Sequence, residues 1–387
     1  MLLRMHLVLK RLQLRVVIVL VTLFVAANSL FGRKRMSHEN GVAVRGTVRI
    51  VDEPPFPANE FFTAGRVFPA RMRHASVLYK DDAMVEVRSA SIKFADTRSE
   101  SPFDMLMNNG RVGLFWSART FVQFMRVSIA GKGKEFVSYL QENPQALWGG
   151  GDSSRRNPIS FAEMSYFSQV CFGYTATNGD EYLCRYRLIP NAWTGDGSEH
   201  DSGTLPKFWF DNNWLSNPFP DEQRTRNYLK DELRERLAAG HHVVMRMQIQ
   251  LRRLPPSGQP TWASAQYPWD EELTPWQDLA IVTETEALDA TEAHLTCFDV
   301  NNHPASLAVP HGVSIDDPHS LNDLRRASTL AAKARLFSYR FRGIPKPFSD
   351  SRYAPDWVHD ALPPMAVPPG PGIAEPLIAH EDDALKS

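Results

Sequence analysis

The sequence predicts an α+β fold with antiparallel strands at the centre and helices packed outside them. Residues 85–94, 182–190 and 241–251 alternate apolar and polar side chains, as strands with one buried face do. Residues 221–239 instead place leucines four positions apart and are followed by Gly240, which indicates a helix that ends there. Strands interspersed with helices in this way are typical of an antiparallel core with peripheral helices.

Length and composition indicate a globular protein of one large domain or two ordinary ones. The chain has 387 residues, of which 43% are hydrophobic and 22% are charged, so it can bury a substantial core. The net charge of −1 gives no indication of a nucleic-acid partner. The three cysteines, Cys171, Cys184 and Cys297, do not have the spacing of metal ligands.

Composition divides the chain into four parts. They are an N-terminal signal-anchor or transmembrane segment (1–35), a linker (36–60), the main domain (61–342) and a Pro-rich tail that becomes acidic at its end (343–387). In the first part an apolar run extends from Val16 to Phe31 and is followed by three basic residues. A helix over this run is about 24 Å long, against a hydrocarbon core of about 30 Å. We expect a single-pass membrane anchor, or a secreted protein if the segment is cleaved.

Residues 88–116 carry the most specific pattern in the chain. Its markers, in order, are Arg88, Ile92, Lys93, Phe94, Asp104, Leu106, Asn108 and Asn109. Lys93 stands between the apolar Ile92 and Phe94, where a half-buried strand presents a residue to solvent. Asn109 and Gly110 form a turn signal after a second apolar run, and amides at the end of a buried strand can also point into a cavity.

The order and spacing of these markers resemble the core of the haem catalases. The similarity is greatest to the shorter catalase-related branch, which includes small haem peroxidases and catalase-type allene oxide synthases. Residues 161–169 and 182–190 resemble two further segments of that branch. The resemblance implies a catalase-type antiparallel β-barrel over residues 61–342, with haem b as the cofactor and iron as the metal.

On one side of the haem, the resemblance implies a base and a group that holds bound oxygen. Arg71 corresponds to an arginine that meets a haem propionate, and Asn108 or Asn109 would hold the oxygen species. Pro69 stands where the catalytic histidine is expected, and His74 is the alternative base. Cleavage of an O–O bond uses a base that accepts a proton from one oxygen and returns it to the other, and proline cannot do this.

On the other side, a catalase-type site needs an anionic tyrosine ligand with an arginine one helical turn before it. Arg335 and Tyr339 have this spacing within the sequence Arg-Leu-Phe-Ser-Tyr, which matches the motif of full-length catalases. The shorter branch would instead place the pair at Arg325 and Thr329, and threonine is not such a ligand. We expect Tyr339 to bind the iron from beneath a barrel interior wide enough for a porphyrin.

The resemblance implies a haem-dependent oxidoreductase that acts on an organic, fatty-acid-type hydroperoxide or on a peroxidase substrate. The loss of the histidine at position 69 favours rearrangement of an organic hydroperoxide, which depends less on proton transfer than breakdown of hydrogen peroxide does. One alternative is a non-catalytic haem- or lipid-binding module. Another is a barrel with no cofactor. The expected partners are a lipid-like small molecule and, through the N-terminal segment, a membrane.

Overall fold

The structure, a computed structural model, describes residues 2–77, 81–130, 138–140, 142–193, 201–205, 222–255 and 260–346. The strands are β1 (Gly41–Ile50), β2 (Val67–Ser76), β3 (Glu86–Lys93), β4 (Asp104–Asn108), β5 (Ser154–Arg155), β6 (Tyr166–Phe167), β7 (Phe172–Thr175), β8 (Glu181–Pro190), β9 (Val243–Arg253) and β10 (Gln277–Ala287). The helices are α1 (Leu2–Gly32), α2 (Ala118–Ala130), α3 (Pro144–Ser153), α4 (Tyr228–Ala238), α5 (Ala290–Leu295), α6 (Ser320–Arg325) and α7 (Ala327–Arg342).

Eight of these strands form a closed antiparallel barrel. The order around it is β2, β1, β10, β9, β8, β6, β4 and β3, and pairing between β2 and β3 closes the circle. The short strands β5 and β7 pair with β3 and β8 from outside this circle. Helices pack around the barrel, so the α+β prediction is confirmed.

Strand β1 corrects the predicted domain boundary, because it lies inside the segment 36–60 that was interpreted as a surface linker. It pairs along its length with β2 and β10, and Val42, Val44 and Val48 are fully buried in the core. A bulge falls at Gly46, where an added Cβ would lie 1.9 Å from the Thr283 carbonyl oxygen. Only glycine fits there without moving β10, and the resulting irregularity interrupts the alternating pattern.

Among the residues that the structure describes, packed side chains fill the barrel interior. Phe61, Phe68, Phe94 and Phe103 fill it, with ring centroids 4.9 Å apart for Phe61 and Phe68 and 5.2 Å apart for Phe94 and Phe103. The expectation of an interior wide enough for a porphyrin is therefore wrong. Any flat cofactor has to lie outside the barrel wall.

The outer face of β2, β3 and β4 carries the site described below. Successive residues of a strand point to opposite faces, so Arg71 and Arg73 lie on the outer face while Met72 lies in the core. Helix α5 contacts this face through Glu292 and the Ala293 carbonyl, which accept hydrogen bonds from Arg71 and Arg73. Helices α6 and α7 extend over the same region, and α1 packs against both.

The predicted helices differ in extent from the observed ones. The segment 118–147 contains α2 and the start of α3, with residues 131–137 and 141 outside the described residues. Helix α4 begins at Tyr228, later than the predicted start at Asp221, which also lies outside them. Of the predicted tail, residues 347–387 lie outside the described part of the chain. Met5–Gly32 of α1 is, within the described residues, the one stretch long and apolar enough to cross a membrane.

Candidate functional site

Helix α7 brings Arg335 and Tyr339 together, as their spacing of four residues predicts. Both side chains are buried, and Arg335 Nη1 donates to the Tyr339 hydroxyl over 3.3 Å. Arg335 also donates to the His294 carbonyl and to Cys297 Sγ, which fixes the guanidinium against α5 and the segment after it. The phenol oxygen is therefore held in the protein interior beside a positive charge.

The electrostatic environment of Tyr339 opposes ionisation unless a further positive charge is present. Burial raises the pKa of the phenol, and the positive charges of Arg335 and Arg35 only partly offset this shift. The free phenol is therefore neutral at neutral pH. Binding of a metal cation to its oxygen would supply the missing stabilisation of the phenolate.

Arg35, Arg73 and Arg335 form a group that we call the cationic cluster, in which Arg73 and Arg335 are buried and Arg35 is half-buried. Arg35 Nη2 donates to the Thr296 carbonyl over 2.5 Å, and Arg73 Nη2 donates to the Glu39 carbonyl over 2.7 Å. Burial and the nearby Arg335 lower the pKa of Arg35 to about 10, and burial and Arg35 lower that of Arg73. Among the described residues, Glu39 supplies the carboxylate that interacts with Arg35 and Arg73. The three guanidinium groups therefore outnumber the nearby negative charge. An anionic ligand would relieve this repulsion.

Asn108 lies on the outer face beside a row of small residues. Cross-strand neighbours point to the same face, and Asn108 is followed across the sheet by Ser89, Ala75 and Gly41. His38 lies close to this row, where its Nε2 is buried and its side chain interacts with the Asn108 side chain. Burial and Arg73 lower the pKa of His38 to about 4, while the Asn108 side chain opposes the shift. The imidazole next to Asn108 is therefore neutral above that pH.

His74 faces the opposite side of β2. Its Nε2 lies 2.6 Å from Glu284 Oε1 inside the barrel, and its ring stacks on Phe161 at 5.3 Å between centroids. Asn108 is on the outer face, so the barrel wall separates the two predicted catalytic residues. The geometry does not bring His74 into a common site with Asn108. Pro69 lies on the outer face, where the side chain of a histidine would have been directed.

Asn109 and Arg71 are both held by other groups. The Asn109 side chain accepts from the Arg88 backbone N–H and donates to the Ser165 carbonyl, so this amide joins β3 to the residue before β6. Arg71 donates to Asp96 and Glu292, each over 2.8 Å. The roles inferred from the resemblance, oxygen binding for Asn109 and propionate binding for Arg71, stay predictions.

The alternative pair, Arg325 and Thr329, also lies near the outer face. Arg325 Nη2 donates to the Leu106 carbonyl over 3.0 Å, which places this arginine on β4. Thr329 Oγ1 accepts a hydrogen bond from Asn301 Nδ2 at 3.0 Å. This register therefore offers a positive charge beside a hydroxyl that does not ionise, whereas Arg335 lies beside a phenol that a bound metal cation could ionise.

These residues fit a haem in charge and in ligand chemistry. A haem iron needs few protein ligands, and a buried tyrosine supported by arginine is the catalase-type donor. The excess positive charge of the cationic cluster complements the two propionate groups of a haem. Arg35 Nε is a buried polar atom without a hydrogen bond among the described residues, so the region has unused capacity for a polar ligand.

Sequence reasoning missed Arg35, His38 and Glu39, because they fall at the end of the predicted anchor and in the predicted linker. Their neighbours in space are residues 73, 294 and 335, which are distant along the chain. One sequence feature could have identified them. Residues 41–50 alternate as a strand does, and a strand there fixes the position of the polar residues directly before it. Recognition of β1 would have brought these residues into the folded domain.

Two histidines near the cluster, the half-buried His38 and the buried His294, are expected to make the fold less stable as the pH falls. The pKa values of His38 and His294 are lowered from 6.5 to about 4, chiefly by burial. Between pH 6.5 and about pH 4 these histidines bind protons in the unfolded chain but not in the folded chain. The free energy of unfolding is therefore highest above pH 6.5 and decreases towards pH 4. Each histidine contributes up to roughly 3 kcal/mol to this decrease.

Urea unfolding between about pH 7.5 and pH 5 measures this effect. We expect His38→Gln and His294→Gln to reduce the loss of stability over this range. His241→Gln serves as the control, because His241 is exposed. An unchanged pH dependence in the His38 and His294 variants would contradict the assignment.

Solved structures share this architecture. A bacterial catalase superposes with a TM-score of 0.59 at 14% identity, covering 83% of this chain and 62% of that one. Catalase A from Saccharomyces cerevisiae gives a TM-score of 0.58 at 15% identity, covering 87% of this chain and 68% of that one. The chain is catalase-like in its fold. At 14–15% identity, this comparison shows only that the chain and the two catalases share a fold.

Three relatives resemble the catalase-like chain in sequence, although no protein-family model matches it. The allene oxide synthase-lipoxygenase protein of Plexaura homomalla is 38% identical over 309 residues, which are 79% of this chain and 28% of that protein. Linolenate 9R-lipoxygenase of Nostoc sp. is 26% identical over 322 residues, 79% of this chain and 39% of that protein. An uncharacterised protein of Sinorhizobium fredii is 28% identical over 235 residues, 59% of this chain and 95% of that protein. The chain therefore spans well under half the length of the first two relatives.

Proposed function

We propose that the catalase-like chain is a haem-dependent oxidoreductase that acts on an organic, fatty-acid-type hydroperoxide. The observation that carries this proposal is the buried pair of Arg335 and Tyr339 on α7, beside an excess of positive charge. Two relatives support the substrate class, since one is named an allene oxide synthase-lipoxygenase and the other a linolenate lipoxygenase. A peroxidase substrate remains within the same proposal.

Each residue of the site has a distinct proposed role. Tyr339 would bind the iron of haem b through its phenolate oxygen, and Arg335 would keep that oxygen ionised. Arg35 and Arg73 would neutralise the propionates, with Arg71 a further candidate inferred from the resemblance. The haem, when bound, supplies the redox centre at which the O–O bond of the substrate is cleaved.

The other side of the site has an amide and an imidazole available. Asn108 points from the outer face and would donate a hydrogen bond to an oxygen of the hydroperoxide. His38 is the imidazole beside Asn108, and it is neutral above about pH 4, so it could accept a proton there. Such a base comes from the segment before β1 and not from β2, where Pro69 stands. Rearrangement of an organic hydroperoxide has the smaller need for a proton shuttle, so it suits this arrangement better than breakdown of hydrogen peroxide.

The second candidate is a non-catalytic haem- or lipid-binding module. It is favoured by the orientation of His74, whose imidazole is paired with Glu284 inside the barrel and has no access to the outer face. If His38 does not act as a base, the chain would have a metal ligand and an anion-binding cluster but no proton acceptor at the site among the residues that the structure describes. Such a protein would bind haem without turning over a peroxide.

Haem titration followed by turnover separates these candidates. We expect the purified full chain in detergent to bind haem with an absorbance spectrum of the tyrosinate type. We expect it to consume a fatty-acid hydroperoxide at least about 10-fold faster than hydrogen peroxide. A positioned base typically contributes about 100-fold or more, and breakdown of hydrogen peroxide depends on such a base more than rearrangement does. Haem binding without turnover of either peroxide would favour the binding module. Absence of haem binding would contradict the oxidoreductase and any haem-binding module, and would leave a lipid-binding module or a barrel with no cofactor.

A further inference from the structure

Helix α1 leaves most of its apolar surface uncovered. Leu14 is buried against Ile315 and Leu324, and Val17 and Ile18 pack partly on the same cluster. Only 17% of the most apolar part of the helix is buried. Large apolar side chains point away from the protein at Met5, Leu7, Val8, Leu9, Leu12, Val16, Val19, Leu20, Leu23, Phe24 and Phe31. An uncovered surface of this kind requires a partner.

Helix α7 runs parallel to α1, since the contacts between them keep the same order along both helices. Leu14 meets Leu324 just before α7, and Arg342 Nη1 at its end donates to the Phe31 carbonyl over 3.0 Å. The two contacts are thus 17 residues apart on α1, from Leu14 to Phe31, and 18 residues apart on the other segment, from Leu324 to Arg342. The exposed side chain of Phe31 is therefore level with that of Phe341.

Helix α7 adds its own apolar stripe to this surface. Leu330, Phe337 and Phe341 recur at spacings of seven and four residues, which places them on one side of the helix. Phe337 is 56% exposed and Phe341 is 74% exposed, and their ring centroids are 4.8 Å apart. In an isolated soluble domain, two adjacent phenylalanines exposed to this degree are unfavourable.

The charged residues of α1 and α7 themselves have one sign, although the exposed Asp316 lies near Lys10. The sequences of α1 and α7 contain no aspartate or glutamate. Exposed basic residues flank the apolar side chains at Lys10, Arg11 and Arg15 on α1 and at Arg340 and Arg342 on α7. An apolar strip bordered by positive charge complements an anionic lipid surface, which attracts each basic residue by about 1 kcal/mol.

The docking of α1 determines its orientation in a membrane. At about 1.5 Å per residue the helix is about 46 Å long, enough to cross a hydrocarbon core of about 30 Å. A crossing helix would have to leave α7 or take it into the bilayer. Helix α7 carries the buried Arg335 and the exposed Lys333, both of which oppose insertion.

We propose that α1 and α7 together form an interfacial membrane-binding surface, which lies in one leaflet of an anionic bilayer and does not cross it. The apolar side chains of both helices enter the leaflet, and the basic residues contact the headgroups. This differs from the single-pass anchor expected from the sequence, and it does not depend on the proposed catalytic activity.

Flotation of the full chain with lipid vesicles tests the contribution of α7. We expect binding to phosphatidylcholine vesicles that contain phosphatidylglycerol, and much weaker binding to phosphatidylcholine alone. The double variant Phe337→Ser, Phe341→Ser should lose at least about 10-fold in vesicle affinity, because two buried aromatic side chains are removed from lipid. The matched control is Ile159→Ser, Leu273→Ser, which removes two apolar residues exposed to a similar degree elsewhere.

Depth measurements along α1 test its orientation. A fluorescent label is attached at Leu12→Cys, Leu20→Cys or Phe31→Cys, one at a time, since the three native cysteines are buried. Quenching by lipids labelled at different depths should place all three positions at one shallow depth. A crossing helix would place the middle position near the bilayer centre and the outer two near opposite surfaces.

Three outcomes would overturn the proposal. The first is vesicle binding that is unaffected by the double variant on α7. The second is the graded depth profile of a crossing helix. The third is a lipid-free dimer that the double variant dissociates, with no vesicle binding, because a second copy would then cover the surface.

Discussion

Replacement of Tyr339 by phenylalanine is expected to abolish the tyrosinate-type haem spectrum and to reduce hydroperoxide turnover by more than about 100-fold. Loss of a residue that only supports a metal ligand typically costs about 10- to 100-fold, so loss of the ligand itself should cost more. The variant removes one buried hydroxyl whose described hydrogen bond comes from Arg335. Absorbance and turnover of the haem-loaded chain measure the effect.

Two controls separate ligation from general damage. Tyr139→Phe removes another buried phenol, whose hydroxyl donates to the Leu114 carbonyl over 3.1 Å, and it should keep the wild-type spectrum. Thr329→Val alters the alternative ligand position and should also have no spectroscopic effect. If Tyr339→Phe retains the wild-type spectrum, Tyr339 is not the ligand.

Replacement of Asp104 by alanine is expected to lower the free energy of unfolding by about 3–5 kcal/mol, because it leaves a buried ammonium group unpaired. Lys93 Nζ lies 2.7 Å from Asp104 Oδ2, and both side chains are fully buried. The same carboxylate accepts from the Asp299 backbone N–H and from Asn302 Nδ2, so it also holds the loop over the outer face. Urea unfolding at neutral pH measures the loss.

Asp52→Ala is the matched control for that loss. Asp52 pairs with Arg49 over 2.8 Å, but both side chains are more than half exposed. Removal of such a pair changes stability by less than about 1 kcal/mol. The double variant Lys93→Met, Asp104→Leu should recover part of the stability lost in Asp104→Ala, since no charge is then left unpaired. A cost below about 1 kcal/mol for Asp104→Ala would contradict a dry, tightly coupled pair.

Patterns that lie within one element were predictable from the sequence. Arg335 and Tyr339 meet because a helix places residues four apart on one side. The strand around Ile92 and Phe94 was also identified, but Lys93 was interpreted as a solvent-side residue. Lys93 is fully buried, because the loop that contains Asn302 covers the outer face. Asn302 is distant from Lys93 along the chain, so a local sequence pattern does not reveal this contact.

Features that depend on contacts between distant segments were not predictable in the same way. The interior was expected to be open, but Phe61 and Phe103 come from segments outside the barrel strands and fill it. His74 was assigned from its position in a motif, whereas its function depends on which side of β2 it faces. That side is fixed by the register with β1 and β3, which places His74 beside Glu284.

We propose that a haem binds outside the barrel wall, with its iron on Tyr339. A crystal structure of the haem-loaded full chain, with an anomalous diffraction map at the iron edge, tests this claim most directly. We expect one iron peak bonded to the Tyr339 phenolate oxygen, with the porphyrin between α7 and the outer face of β2, β3 and β4. An iron peak bonded to another residue, or a haem away from α7, would contradict the account.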